Sequence, residues 1–141
     1  MLLGEFLHTI DKKGRIFIPS KLRDSLGESF VISRGIGEQA VLSIYSEESW
    51  NLLDEKIKAL PNMESLRVRR FLYTGALNAE YDSQGRIVIP ARLREFANLG
   101  DNAYVLGMSD HIEIWNTELW EAESAKDTSA SIADIMTNLQ F

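Results

Sequence analysis

The 141-residue chain has no cysteine, only two histidines and only three prolines. Without cysteine it can form neither a disulfide nor a thiolate metal site. His8 and His111 are too few for an imidazole-rich centre, so no metal or other cofactor is expected. No Gly-x-Ser-x-Gly elbow occurs, and neither His-x-x-x-His nor His-x-x-Glu-His is present. No apolar run is long enough to span a bilayer, so no membrane contact is expected. The opening Met1-Leu2-Leu3-Gly4-Glu5 lacks the basic and long apolar regions of a signal peptide, which makes cytoplasmic residence the expectation. With these chemistries absent, neither catalysis nor a small-molecule substrate is expected.

The chain does contain a duplication. The segment from Asp11 to Arg23 (DKKGRIFIPSKLR) returns 71 positions later, from Asp82 to Arg94 (DSQGRIVIPARLR), with eight of thirteen positions identical. The likeness extends beyond this core. Leu26-Gly27-Glu28 matches Leu99-Gly100-Asp101, and Leu42 to Trp50 matches Ile112 to Trp120 with the same spacing of acid and tryptophan. Two copies of one unit are therefore expected, over residues 1–73 and 74–126, with a tail over 127–141. Each copy alone is near the size at which a single core is marginal, so the two should pack as one body with pseudo-two-fold symmetry. An apolar fraction of 45% suffices for that core.

The net charge of −6 argues against a nucleic-acid partner only as an average. The two thirteen-residue copies hold eight of the 15 basic residues and only two acids, so they carry +6 against −12 elsewhere. With a screening length of about 10 Å, a positive face can act separately from acid on the far side.

Local patterns give a mixed α+β class, a small interleaved β-barrel with peripheral helices. Phe6 to Ile10 and Arg15 to Ile18 read as hairpin partners around the turn Asp11-Lys12-Lys13-Gly14, in which Asp caps and Gly supplies positive φ. Pro19 suits a helix N1 position, Ser20 to Leu26 reads as a short helix, and Gly27 stops it. Residues 30–33 and 40–45 form a second hairpin. Ser46 caps a helix with the stripe Trp50, Leu53, Ile57 and Leu60, and another helix follows over 63–73. The second half repeats the order: strands 76–81 and 86–89, helix 91–98, strands 103–107 and 111–115, helix 117–126. Lys126 to Ser131 reads as a linker, before a short amphipathic helix bearing Ile132, Ile135, Met136 and Leu139.

Asp11, Gly14, Asp82 and Gly85 are expected to be structural turn residues. Arg15 and Arg86 are the candidate DNA-binding residues, because a guanidinium recognises phosphates and guanine edges in bidentate fashion. Lys12 and Lys13 face Ser83 and Gln84 in the other copy, so the first turn should carry more phosphate affinity. Lys21, Arg23, Arg92 and Arg94 read chiefly as a solvated helix face, with a lesser role in backbone contacts or subunit pairing. An aspartic dyad is excluded on charge: it needs carboxylates free of cationic partners, and each Asp here has an Arg four residues on. Gly35-Ile36-Gly37-Glu38-Gln39-Ala40 formally fits a dinucleotide fingerprint but leads into a strand, so it reads as a hairpin turn.

The doubled D-x-x-G-R-[IV]-x-[IV]-P-x-x-L-R, with Asp11, Arg15, Asp82 and Arg86 at its fixed positions, resembles the MraZ family over residues 1 to about 125. One half also resembles the AbrB/SpoVT swapped-hairpin module. The resemblance implies a double-split, swapped-hairpin β-barrel made from two AbrB-like repeats in one chain. It also implies a ring-shaped homo-oligomer and a nucleoid-associated repressor that binds double-stranded DNA at tandem direct repeats upstream of its own division and cell-wall operon. The rival reading is an AbrB-type antitoxin, whose C-terminal segment would hold a toxin; the short, mostly polar tail argues against it.

Overall fold

The computed structural model describes residues 1–140. In chain order the elements are β1 (Leu2–Thr9), β2 (Arg15–Phe17), α1 (Ser20–Leu26), β3 (Ser29–Arg34), β4 (Leu42–Ser46), α2 (Glu47–Lys58) and α3 (Asn62–Leu72). The second half follows with β5 (Leu77–Glu80), β6 (Arg86–Val88), α4 (Ala91–Phe96), β7 (Asn102–Ser109), β8 (Ile112–Trp115) and α5 (Thr117–Ser124). A tail helix α6 (Ser129–Ile135) and a 3₁₀ turn (Met136–Leu139) complete it.

Capping chemistry sets several of these boundaries in both halves alike. The Ser46 hydroxyl accepts from the Ser49 amide at 3.1 Å and starts α2, whose first turn carries Glu47 and Glu48 and whose last turn carries Lys56 and Lys58. At the equivalent place, the Asn116 side chain accepts from the Leu119 amide at 2.9 Å and starts α5. Pro19 and Pro90 occupy the position just before α1 and α4, extended at ψ 141° and 150°, one residue earlier than the N1 site expected for Pro19. Thr128 and Ser131 exchange side-chain and backbone hydrogen bonds in a capping box, so α6 begins inside the stretch expected to be a linker.

The strand pairing departs from the sequence expectation. β1 pairs with β7 along eight residues, and β2 pairs with β6; Ile10 and Ile16 form only an isolated bridge between the expected hairpin partners. β1 accordingly starts at Leu2, four residues earlier than expected, because β7 supplies a partner for its whole length. The two hairpins β3–β4 and β7–β8 form as anticipated. All the pairings are antiparallel, and the six-stranded sheet runs β1-β7-β8-β4-β3-β5, with β2–β6 as a separate ribbon. The order is symmetric about the β8–β4 junction: each half lends its first strand to the other half's hairpin.

Exchange of strands places both halves in one core. Ile16, Ile18, Ile87 and Ile89 are fully buried with Phe30, Ile32, Leu42, Ile44, Ile112 and Ile114 in a single apolar cluster. A second cluster, with Trp115, Leu106 and Val41 packed by Tyr104, Leu119 and Trp120, fixes α5 to the sheet. Truncating one such isoleucine to alanine costs about 2–5 kcal/mol, which is a large share of a small domain's stability.

Candidate nucleic-acid interface

The ribbon has an inner and an outer face. Ile16 and Ile87 lie opposite each other and point inward, so by alternation Arg15 and Phe17, with Arg86 and Val88, point outward. Arg15 lies opposite Val88, and Arg86 opposite Phe17, which sets the two guanidine side chains diagonally across one face. Phe17 and Val88 are 36% and 52% exposed, an unusual setting for apolar side chains in a core ribbon.

The turn before each strand has the same chemistry in both copies. Asp11 Oδ1 accepts from the amides of Lys13 at 3.0 Å and Arg15 at 2.9 Å, while its Oδ2 accepts from Arg15 Nε at 2.5 Å. Asp82 Oδ1 accepts from Gln84 at 2.8 Å and Arg86 at 2.9 Å, and its Oδ2 from Arg86 Nε at 2.8 Å. Gly14 and Gly85 donate back to the Asp11 and Asp82 carbonyls and hold φ of 81° and 78°, a region that strains any other residue. The turn backbones also cross between halves. The Ile18 amide donates to the Gly85 carbonyl at 3.2 Å, and the Ile89 amide donates to the Gly14 carbonyl at 2.8 Å.

The two Asp–Arg units meet. Arg86 Nη1 approaches Asp11 Oδ2 at 4.0 Å as well as its own aspartate, so Asp11 lies between both arginines. All four side chains keep 27–35% of their surface open to solvent. The hydrogen bonds from the Arg15 and Arg86 amides lead in holding the two carboxyls below the usual aspartate range. Aspartates held ionised in this way cannot share a proton as a catalytic dyad does.

Lys12 and Lys13 are exposed at the first turn, as Ser83 and Gln84 are at the second. Arg23 and Arg94 are half-buried, unlike the solvated face expected of them. What brings them in is a glycine of the other half: the Arg23 guanidinium lies against Gly85, where a Cβ would collide with Nη1, and Arg94 Nε lies 3.0 Å from the corresponding point at Gly14. Arg23 also covers the Phe17 ring, its Cζ 5.1 Å from the ring centre. The repeated Gly-Arg of the turn is visible in the sequence, but nothing in either copy alone indicates that its glycine receives an arginine from the other.

The remaining singled-out residues have other surroundings. His8 meets the Phe17 ring edge-on at 5.5 Å, and Trp115 meets Trp120 at 5.2 Å. Trp50 packs between Tyr45 and Tyr73. Of the α3 arginines, Arg69 donates to Ser65 Oγ at 3.1 Å. The Gly35–Ala40 segment turns between β3 and β4, closed by the Gly35 amide on the Val41 carbonyl at 2.7 Å. Among the described residues no group of three or more His, Asp or Glu is placed to hold a metal ion, and no helix is long and apolar enough to cross a membrane.

Fold and site together define an internally duplicated α+β protein that carries two Asp–Arg turns on one shared ribbon. Sequence comparison gives that class a family. The family model described as "MraZ protein, putative antitoxin-like" matches residues 1–69 and again 72–140, so the chain belongs to the MraZ family. It is 42% identical to a protein named "Transcriptional regulator MraZ" from Desulfitobacterium hafniense, over 99% of both chains. It is likewise 42% identical to one of the same name from Caldanaerobacter subterraneus, over 99% of this chain and 96% of that one. A Pyrococcus horikoshii protein known from its solution structure is 18% identical with a TM-score of 0.35, covering 81% of this chain and 88% of that one, a likeness too slight to bear on the fold.

Proposed function

We propose that this protein is a non-enzymatic transcriptional regulator that binds double-stranded DNA through the two Asp–Arg turns. Its two halves, residues 1–73 and 74–126, form a double-split, swapped-hairpin barrel, with residues 127–141 as an accessory tail. Arg15 and Arg86 are the principal contacts, aided by Lys13 and Lys12. Asp11, Gly14, Asp82 and Gly85 hold the turns in shape. The single observation carrying the reading is that both guanidine groups share one solvent-open face in a molecule of net charge −6. A two-stranded ribbon is narrow enough to enter a major groove.

One subunit has only a few cationic contacts, too few for tight binding at cellular salt. A ring of identical subunits on tandem direct repeats multiplies them without new chemistry. We therefore assign the protein to a ring-shaped homo-oligomer that represses the division and cell-wall operon from its own promoter, in the cytoplasm and on the nucleoid. A salt-titrated mobility shift with the DNA upstream of its own gene tests this. A complex that weakens as salt rises supports it, and absence of any complex at low salt rejects it.

The antitoxin alternative draws on one feature: α6 and the 3₁₀ turn after it leave Ile132, Ile135 and Leu139 exposed. A pull-down with and without residues 127–141 decides, since a toxin-binding tail loses its partner on deletion while a DNA regulator keeps its promoter.

A further inference from the structure

The second duplicated pair of arginines has a different electrostatic standing from the first. Arg15 and Arg86 are each held by an aspartate, so each Asp–Arg unit is close to neutral. Among the described residues, neither Arg23 nor Arg94 has a carboxylate within 4.0 Å. Arg94 Nε is also buried without a hydrogen-bond partner. An unpaired cation in a half-buried place is costly unless something compensates it, and its field is poorly screened.

Their placement is symmetric and crosses the molecule. α1 of the first half delivers Arg23 to the turn glycine of the second, and α4 of the second half delivers Arg94 to the turn glycine of the first. The ribbon's own hydrogen bonds, from Ile18 to Gly85 and from Ile89 to Gly14, fix each arginine's neighbour in place. Each turn therefore combines a nearly neutral Asp–Arg tip with an uncompensated guanidinium behind it.

We propose that Arg23 and Arg94 form two phosphate subsites for the DNA backbone, one beside each turn and each supplied by the opposite half. The inference rests on the DNA-binding reading and deepens it: Arg15 and Arg86 address the bases, while Arg23 and Arg94 hold the strand against the ribbon. Arginine suits these positions because its planar fork is positioned by Gly85 and the Phe17 ring at Arg23 and by Gly14 at Arg94, leaving less side-chain freedom to lose on binding than an exposed lysine has. Phosphate contacts fix register and carry no sequence information, so these two subsites act equally on any duplex.

The test compares the full-length protein with Arg23→Met/Arg94→Met, which keeps the stems and removes the charges, and with Arg23→Lys/Arg94→Lys, which keeps the charges. Affinity is measured against salt on the promoter fragment and on an unrelated duplex of equal length, with melting followed alongside. Losing two phosphate contacts should lower the slope of log affinity against log salt by about 1.8 on both duplexes, at about 0.9 per contact, and leave the preference for the promoter intact. The lysine variant should retain the wild-type slope. Should the methionine pair destabilise the fold, Arg94→Met alone should lower the slope by about 0.9. A folded methionine variant with the wild-type slope overturns the inference, and so does a lysine variant that loses slope as the methionine variant does. A wild-type protein that binds neither duplex removes the DNA reading itself, a distinct result from binding with an unchanged slope.

Discussion

The first and second turns of the ribbon have the same skeleton and different decoration. Aspartate, glycine and arginine match bond for bond, down to amide distances of 2.9 Å from Arg15 and Arg86 to their carboxylates. The two residues between differ completely, two lysines in one turn and Ser83-Gln84 in the other, and the outward apolar neighbour is Phe17 in one strand and Val88 in the other. Local hydrogen-bond geometry must be kept for either turn to form, whereas an exposed position contributes little to folding and is free to specialise. The second turn therefore shows what the scaffold needs, and the first shows what has been added to it.

The largest effect should be the one on which the copies agree. Ile16 and Ile87 face each other across the ribbon and are fully buried, so Ile16→Ala and Ile87→Ala should each cost about 2–5 kcal/mol in urea unfolding. Near-equal losses are expected. A loss confined to one copy would mean that the two halves do not share one core.

Next come the arginines. Arg15→Ala should weaken promoter binding by about 1–3 kcal/mol, the range for a bidentate guanidinium contact, while oligomer size and melting stay unchanged. Arg86→Ala should act in the same direction and less strongly, because only the first turn has lysines beside its arginine. Promoter affinity that survives Arg15→Ala removes that residue from the interface. Converting the first turn to the second, with Lys12→Ser and Lys13→Gln, should lower the salt slope by up to about 1.8 and leave the ranking of DNA sequences unaltered. The reverse change, Ser83→Lys with Gln84→Lys, should raise it.

Much of this was legible in the chain, for a physical reason that also explains what was hidden. Turns, caps and short helices are decided by residues three or four apart, and Asp11 and Ser46 each signal their own bond. Strand partners are chosen at long range. Because β2 and β6 have nearly the same sequence, either suits a partner in its own half as well as one in the other, so no residue pattern separates a local hairpin from the observed exchange. The burial of Arg23 and Arg94 was hidden likewise, since the glycine each one meets lies in the other copy. The six-residue Gly35–Ala40 segment was readable as a turn because the apolar Val41-Leu42-Ser43-Ile44-Tyr45 after it reads as a strand and not as the helix a dinucleotide fingerprint needs.

The smallest effect concerns a place where the halves diverge, the residue just before β4 and β8. Val41 precedes β4 in the first half, and His111 precedes β8 in the second. His111 Nδ1 lies 2.7 Å from Asp110 Oδ1, its Nε2 lies 3.6 Å from Glu113 Oε2, and its ring stacks on Tyr45 at 5.3 Å. The Glu113 carboxylate, with help from Asp110, raises the imidazole above its ordinary value against the opposing effect of burial. A raised group stabilises the fold fully below its unfolded value of 6.5 and loses that contribution as pH climbs through the higher folded value. Asp110 and Glu113 are lowered, chiefly by their contacts with His111, so they begin to protonate only in more acid solution, and Tyr45 is raised by its burial and stays neutral. The urea midpoint should therefore fall modestly between about pH 6 and pH 8, the range in which histidine titrates. His111→Val, which copies the first half, should flatten that slope; an undiminished slope in the variant would assign the pH dependence to another group.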